Sequence, residues 1–125
     1  MGLVKKFRIP ALPPSVNRMY KINYRTKQCY LDKSVQEFKH KAIHNIPHFM
    51  VSKNARLELL VEYHGKFINK GDGKPKRRDG QNLDKCLYDI IFEKLGLDDS
   101  IVWKGSWSKH HNEEEFTLVT IKEII

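Results

Sequence analysis

Residues 82–97, NLDKCLYDIIFEKLGL, constrain the fold more than any other stretch of the chain. Leu83, Cys86, Leu87, Ile90 and Ile91 recur at helical spacing and form one apolar stripe. Such a stripe has to be covered by another element, because apolar surface left in water costs about 25 cal/mol per Å². Asn82 is placed to cap the start of the helix and Gly96 to end it. The segment ahead suggests what the helix packs on. In ARLELLVEYHGKF, residues 55–67, Leu57, Leu59, Val61 and Tyr63 point one way, while Arg56, Glu58, Glu62 and His64 point the other. That period of two predicts a strand with one face on a core.

The rest of the chain supplies partners for both. Lys5 to Ile9 reads as a short strand, broken by Pro10, Pro13 and Pro14. Gln28 to Leu31 reads as a second extended piece. From Lys33, Val35, Phe38, Ala42, Ile43 and Ile46 lie at helical spacing, and Pro47 ends that helix. DDSIVWKGSWSKHH reads as a turn and a strand, and EEFTLVTIKEI as a last strand. There is no internal repeat and no long linker, so residues 1–125 are expected to form one α+β domain with helices packed on a sheet.

Charge narrows the partners. Lys and Arg number 23 against 15 Asp and Glu, a formal charge of +8. A balance of this kind favours polyanions, either nucleic acid or an anionic membrane surface. No apolar run approaches the ~20 residues of a membrane span. The opening MGLVKKFRIP has no apolar core of a signal peptide, so a cytoplasmic protein is expected. Cys29 and Cys86 have no metal or redox spacing and read as reduced, packed thiols.

The basic residues concentrate in INKGDGKPKRRDGQ, residues 68–81, which reads as a loop running into the helix. On a wheel of about 100° per residue, Asn82, Lys85, Asp89 and Glu93 fall on one stripe about 80° wide, beside the apolar one. Asp79 precedes the helix, where the dipole and free amides favour an anion. Asp98 and Asp99 follow it at the entry of a strand, and if that strand pairs beside the helix the second acidic pair returns to the first. Metal-assisted phosphodiester cleavage wants this set: oxygen ligands for Mg²⁺, a lysine near the scissile phosphate, and cations along the backbone. A plainer reading stands beside it. Lys85 and Asp89 have the spacing of an ordinary surface ion pair, and Asp98–Asp99 that of a turn.

Taken together these residues resemble the RusA-type Holliday-junction resolvases. The likeness rests on LPPSVNRMY, residues 12–20, and RRDGQNLDKCLYDIIFEKLGLDDSIV, residues 77–102. It implies a mixed β-sheet with two main helices packed on it. It also implies a homodimer and a Mg²⁺-dependent endodeoxyribonuclease (Mn²⁺ as substitute) acting on four-way junctions and other branched DNA. No small-molecule cofactor and no membrane partner are implied, and the source is expected to be bacterial or phage. By this resemblance Asp79, Lys85 and Asp99 are catalytic, and Asp79, Gln81, Asp98 and Asp99 surround the metal. Asn17, Arg18, Lys74, Lys76, Arg77, Arg78 and Asn82 hold DNA. Gln81 stands where the family usually has its second acid. Asp89, about 20° from Asn82 on the wheel, is the candidate compensating ligand, whereas Asp84 points about 160° away. The neutral Gln81 keeps open an alternative: a catalytically weak or inactive branched-DNA-binding protein of the same fold.

Three further groups carry weaker signals. Tyr20, Tyr24 and Tyr30 interleave with Arg18, Lys21, Arg25 and Lys27, a pattern that suits base stacking or core packing. Trp103 and Trp107 share a strand face and are expected in the core or a dimer contact. His40, His44 and His48 read as a solvated helix face, and His110 and His111 have no spaced partner.

Overall fold

A computed structural model of the chain describes residues 3–14, 20–23, 28–31, 33–68, 71–74 and 80–124, with 20–23, 28–31 and 80–82 described by their backbone. The elements are β1 (Val4–Ile9), β2 (Tyr20–Asn23), β3 (Gln28–Leu31), α1 (Lys33–Ile43), β4 (Leu57–Gly65), α2 (Gly80–Leu95), a 3₁₀ turn (Asp99–Ile101), β5 (Val102–His111) and β6 (Phe116–Glu123). Four strands form a mixed sheet in the order β1-β6-β4-β5, and β2 and β3 pair separately as an antiparallel ribbon. β6 runs antiparallel to both β1 and β4, while β4 and β5 are parallel. A parallel pair needs a crossover between its strands, and here the crossover carries α2.

The α+β expectation, with a mixed sheet and two helices, is met. Leu57, Leu59, Val61 and Tyr63 of β4 are all buried, as their alternation requires. Opposite them lie Leu83, Cys86, Leu87, Ile90, Ile91, Phe92 and Leu95 of α2 and Val35, Phe38 and Ala42 of α1. Val119 and Ile121 of β6 and Ile9 of β1 complete one continuous core. Each large side chain so buried contributes about 1.5–3 kcal/mol before the entropy of ordering is counted.

The helix boundaries differ from the pattern in instructive ways. α2 begins at Gly80, so Asn82 lies within the first turn instead of capping it. Its other end is as expected: Gly96 has φ +69°, its amide bonds Glu93 O at 3.2 Å, and Leu97 N bonds Phe92 O at 3.0 Å. Those two bonds close a Schellman cap, which needs a residue at ease with positive φ. α1 stops at Ile43, and Asn45 N and Ile46 N both bond Ala42 O in the turn that follows. β2 alternates Tyr20 and Ile22 with Lys21 and Asn23, but four residues are too short a run for that pattern to predict a strand.

Trp103 and Trp107 are not in the core. They are 67% and 38% exposed, because β5 is an edge strand whose residues are nearly all exposed. Among the described residues no helix is long and apolar enough to cross a membrane.

Candidate active site

α2 positions the expected lysine. Lys85 is exposed, and its Nζ lies 3.6 Å from Asp89 Oδ1 one turn on. The pair therefore exists as the spacing suggested, exposed enough that the attraction is worth only a few tenths of a kcal/mol. Glu93, the last member of the polar stripe, instead reaches across to α1 and pairs with Lys39 Nζ at 2.8 Å.

The Schellman cap turns the chain out of α2 and delivers Asp98 and Asp99 to the 3₁₀ turn before β5. Asp98 has extended backbone, and its Oδ1 accepts the Ser100 amide at 2.8 Å, capping that turn. The Ser100 backbone bond, then the Ser100 side chain and the adjoining Asp99 carboxyl, hold Asp98 below the usual carboxylate range. Asp98 and Asp99 are both exposed. One ionised carboxylate fixed by a backbone amide, beside a second that touches it, is an all-oxygen donor set. That set suits a hard cation such as Mg²⁺, which needs few protein ligands and keeps its waters.

The remaining sequence candidates divide by place. Asn17, Arg18, Lys76, Arg77, Arg78 and Asp79 lie outside the described residues, and the side chains of Gln81 and Asn82 do too. Lys74 is exposed, with its amide bonded to Asp72 Oδ1 at 2.9 Å.

Lys85 and Asp99 are not brought together within one chain. Ten residues of helix separate Lys85 from Leu95, a rise of roughly 15 Å, and the aspartates follow Leu95. The packing of α2 on the sheet agrees. Asp84 bonds Tyr63, whose β5 partner is Lys109, while a Cβ on Gly105 would come within 2.7 Å of the Tyr88 hydroxyl. Walking down α2 thus means walking back along β5 toward Val102, and Asp99 lies beyond that end.

Two groupings escaped the sequence reading. Asp84, set aside on the wheel, is half-buried and accepts the hydrogen bond of the buried Tyr63 hydroxyl. Burial raises the Asp84 carboxyl, although the Tyr63 bond opposes that shift. Burial also pushes the Tyr88 phenol up to about 12, with the Asp84 charge adding to it. Its neighbour Cys86 is fully buried, and burial followed by the charge of Asp89 pushes its thiol up to about 12, consistent with an inert packed thiol. The second grouping joins His110, assigned nothing from sequence, with Glu62 and His64. Alternation along β4 signals that Glu62 and His64 share a face, but only the pairing of β4 with β5 brings His110 to them.

A family model described as Endodeoxyribonuclease RusA matches residues 10–122 of the chain. No curated protein matches it.

Proposed function

The chain belongs to the endodeoxyribonuclease RusA family, and from that premise we propose a Mg²⁺-dependent nuclease that resolves Holliday junctions and other branched DNA by paired nicks. The observation that carries the reading is the extent of the match. Residues 10–122 include both the proline block near residue 13 and the run from Asp79 to Asp99. A DNA-processing enzyme of this kind works in the cytoplasm of a bacterium or of a phage-infected cell.

Asp79, Gln81, Asp98 and Asp99 are the proposed metal-holding residues, with Asp89 in reserve. Since roughly 21 Å of helix separates Gln81 from Leu95, Asp79 and Gln81 of one protomer would meet Asp98 and Asp99 of its partner. When bound, Mg²⁺ or Mn²⁺ supplies charge neutralisation at the phosphate oxygens and a more acidic water. Asp98 serves this role in its ionised form, which the Ser100 amide favours. Lys85, on an exposed helix face, is the proposed group that neutralises charge on the leaving oxygen. Asn17, Arg18, Lys74, Lys76, Arg77, Arg78 and Asn82 are the proposed contacts to the DNA backbone, a sequence-independent grip that salt weakens.

A homodimer fits both the substrate and the helix. A four-way junction has two-fold symmetry, and two opposed nicks call for two sites about a dyad. The roughly 15 Å rise from Lys85 to the end of α2 is also answered by a dyad that sets two α2 helices antiparallel. Lys85 of one protomer then faces Asp98 and Asp99 of its partner.

The test is cleavage of a synthetic four-way junction with Mg²⁺ by the wild type and by Asp99→Asn. We expect paired nicks from the wild type and a loss on the order of 10²-fold or more in the variant. Equal cutting by both proteins would overturn the reading, as would junction binding with no cutting by either.

A further inference from the structure

The face of the sheet turned away from the helices carries a donor set that the nuclease reading does not use. Glu62 and His64 are two apart on β4, so both project from that face. His110 is the register partner of His64 on β5. Glu62 Oε1 lies 3.0 Å from His64 Nε2 and 3.7 Å from His110 Nε2, and the three donor atoms all lie within 4.8 Å of one another. A tetrahedral Zn²⁺ with bonds of about 2.0–2.1 Å to nitrogen and oxygen spaces its ligands about 3.3 Å apart. The two carboxylate–imidazole separations bracket that value.

We propose that Glu62, His64 and His110 bind one transition-metal ion of the Zn²⁺ class on the open face of the sheet, joining β4 to the edge strand β5.

Three features support it. The imidazole of His64 is held in place before any ion arrives. It stacks on Phe116 at 4.3 Å between ring centres, and the Arg8 guanidinium covers the Phe116 ring at 3.9 Å, whereas the near-parallel His110 ring, 4.5 Å away, turns out of the stack to aim its Nε2 at the shared ion. A ligand fixed by its packing loses little freedom on binding. The chemistry of the donors also selects the ion. Two imidazoles and one carboxylate suit Zn²⁺, Co²⁺ or Ni²⁺, whereas Mg²⁺ prefers oxygen alone, so this site does not compete for the nuclease ion. Finally, Ser108 Oγ lies 2.9 Å from His110 Nε2. The hydroxyl holds that nitrogen in the metal-free state and gives it up to the ion. The ligands come from both strands, so the ion fastens an edge that, among the described residues, pairs only with β4, and binding to the folded state alone raises stability.

The test is calorimetric titration of the metal-stripped full chain with Zn²⁺ alone, beside the visible spectrum of the Co²⁺ form. One ion per chain is expected, with affinity weakened at least about tenfold in His110→Ala and in Glu62→Gln. The same two variants lose the Co²⁺ ligand-field bands while keeping the wild-type far-ultraviolet circular dichroism. The paired substitution His40→Ala with His44→Ala, which removes the exposed histidine pair at the end of α1 and in the turn after it, leaves the titration unchanged. Wild-type affinity in His110→Ala, loss of binding in the His40→Ala, His44→Ala double variant, or no binding by the wild type would each overturn the proposal.

Discussion

The hydroxyl of Tyr63, buried on β4, donates its hydrogen bond to the carboxylate of Asp84 on α2. The contact ties the first turns of the crossover helix to the strand it crosses from. It also places a carboxylate where burial raises its protonation point. A raised acid favours its neutral form in the folded state. Asp84 therefore lowers stability increasingly as pH rises from 3.8, the ordinary aspartate value, through its raised folded value, and its cost vanishes at lower pH. Asp84→Asn retains an acceptor for Tyr63 and removes the charge. Urea unfolding at several pH values should show the variant at least as stable as the wild type near neutrality, with the two converging in acid. Asp84→Ala leaves the Tyr63 hydroxyl without its acceptor and should cost about 1–3 kcal/mol. A variant curve parallel to the wild type across that range would refute the assignment.

Gly96 links stability to the candidate site. Its positive φ closes the cap on α2, and the chain then reaches Asp98 after one further residue. An alanine there takes on left-handed strain of about 1–2 kcal/mol. Gly96→Ala should lower the urea midpoint accordingly with an unchanged slope. Junction nicking should fall by more than stability loss accounts for at a temperature where the variant is fully folded, because the cap sets where Asp98 and Asp99 begin.

Sequence pattern reached the local features and stopped at the non-local ones. The alternation of Leu57, Leu59, Val61 and Tyr63 and the stripe from Leu83 to Ile91 report directly on burial, since period alone decides which face is covered. Gly96 was legible because few residues accept its conformation. The start of α2 was not, because Gly80 and Gln81 precede the stripe and carry no periodic signal. Of the two places expected for Trp103 and Trp107, the core is excluded by their exposure, because alternation does not distinguish an edge strand from a central one. The relation of Lys85 to Asp99 was hidden for a simpler reason. A helical wheel keeps the angle around the axis and discards the rise of about 1.5 Å per residue. His64 and His110 meet through strand pairing alone, which no spacing along the chain encodes.

The distance along α2 makes the dimer testable by mixing. Lys85→Ala and Asp99→Asn homodimers should each lose nicking by on the order of 10²-fold or more. If Lys85 of one protomer serves the Asp98–Asp99 pair of its partner, a mixed dimer of the two variants keeps one intact site and one doubly broken site. Random exchange makes half the dimers mixed, so nicking should recover to roughly a quarter of the wild-type rate. If instead each site is complete within one chain, both sites of the mixed dimer carry a defect and nothing is recovered. Nicking assays before and after mixing and re-equilibration distinguish the two.

Gln81 offers a gain-of-function test. It is the second residue of α2 and the one neutral side chain among the four proposed metal-holding residues. A glutamine oxygen can bind Mg²⁺ but brings no charge, and the affinity of hard-cation sites follows the number of charged ligands. Gln81→Asp should therefore reduce the Mg²⁺ concentration giving half-maximal nicking, on the order of tenfold. The same change places a carboxylate in the first turn of α2, where the dipole favours it by about 0.3–1 kcal/mol. The metal-free variant should thus melt at or slightly above the wild-type temperature, and better folding alone would speed nicking equally at every Mg²⁺ concentration. A true ligand instead moves the midpoint and leaves the plateau nearly fixed. Midpoints that coincide for the two proteins would remove position 81 from the metal site.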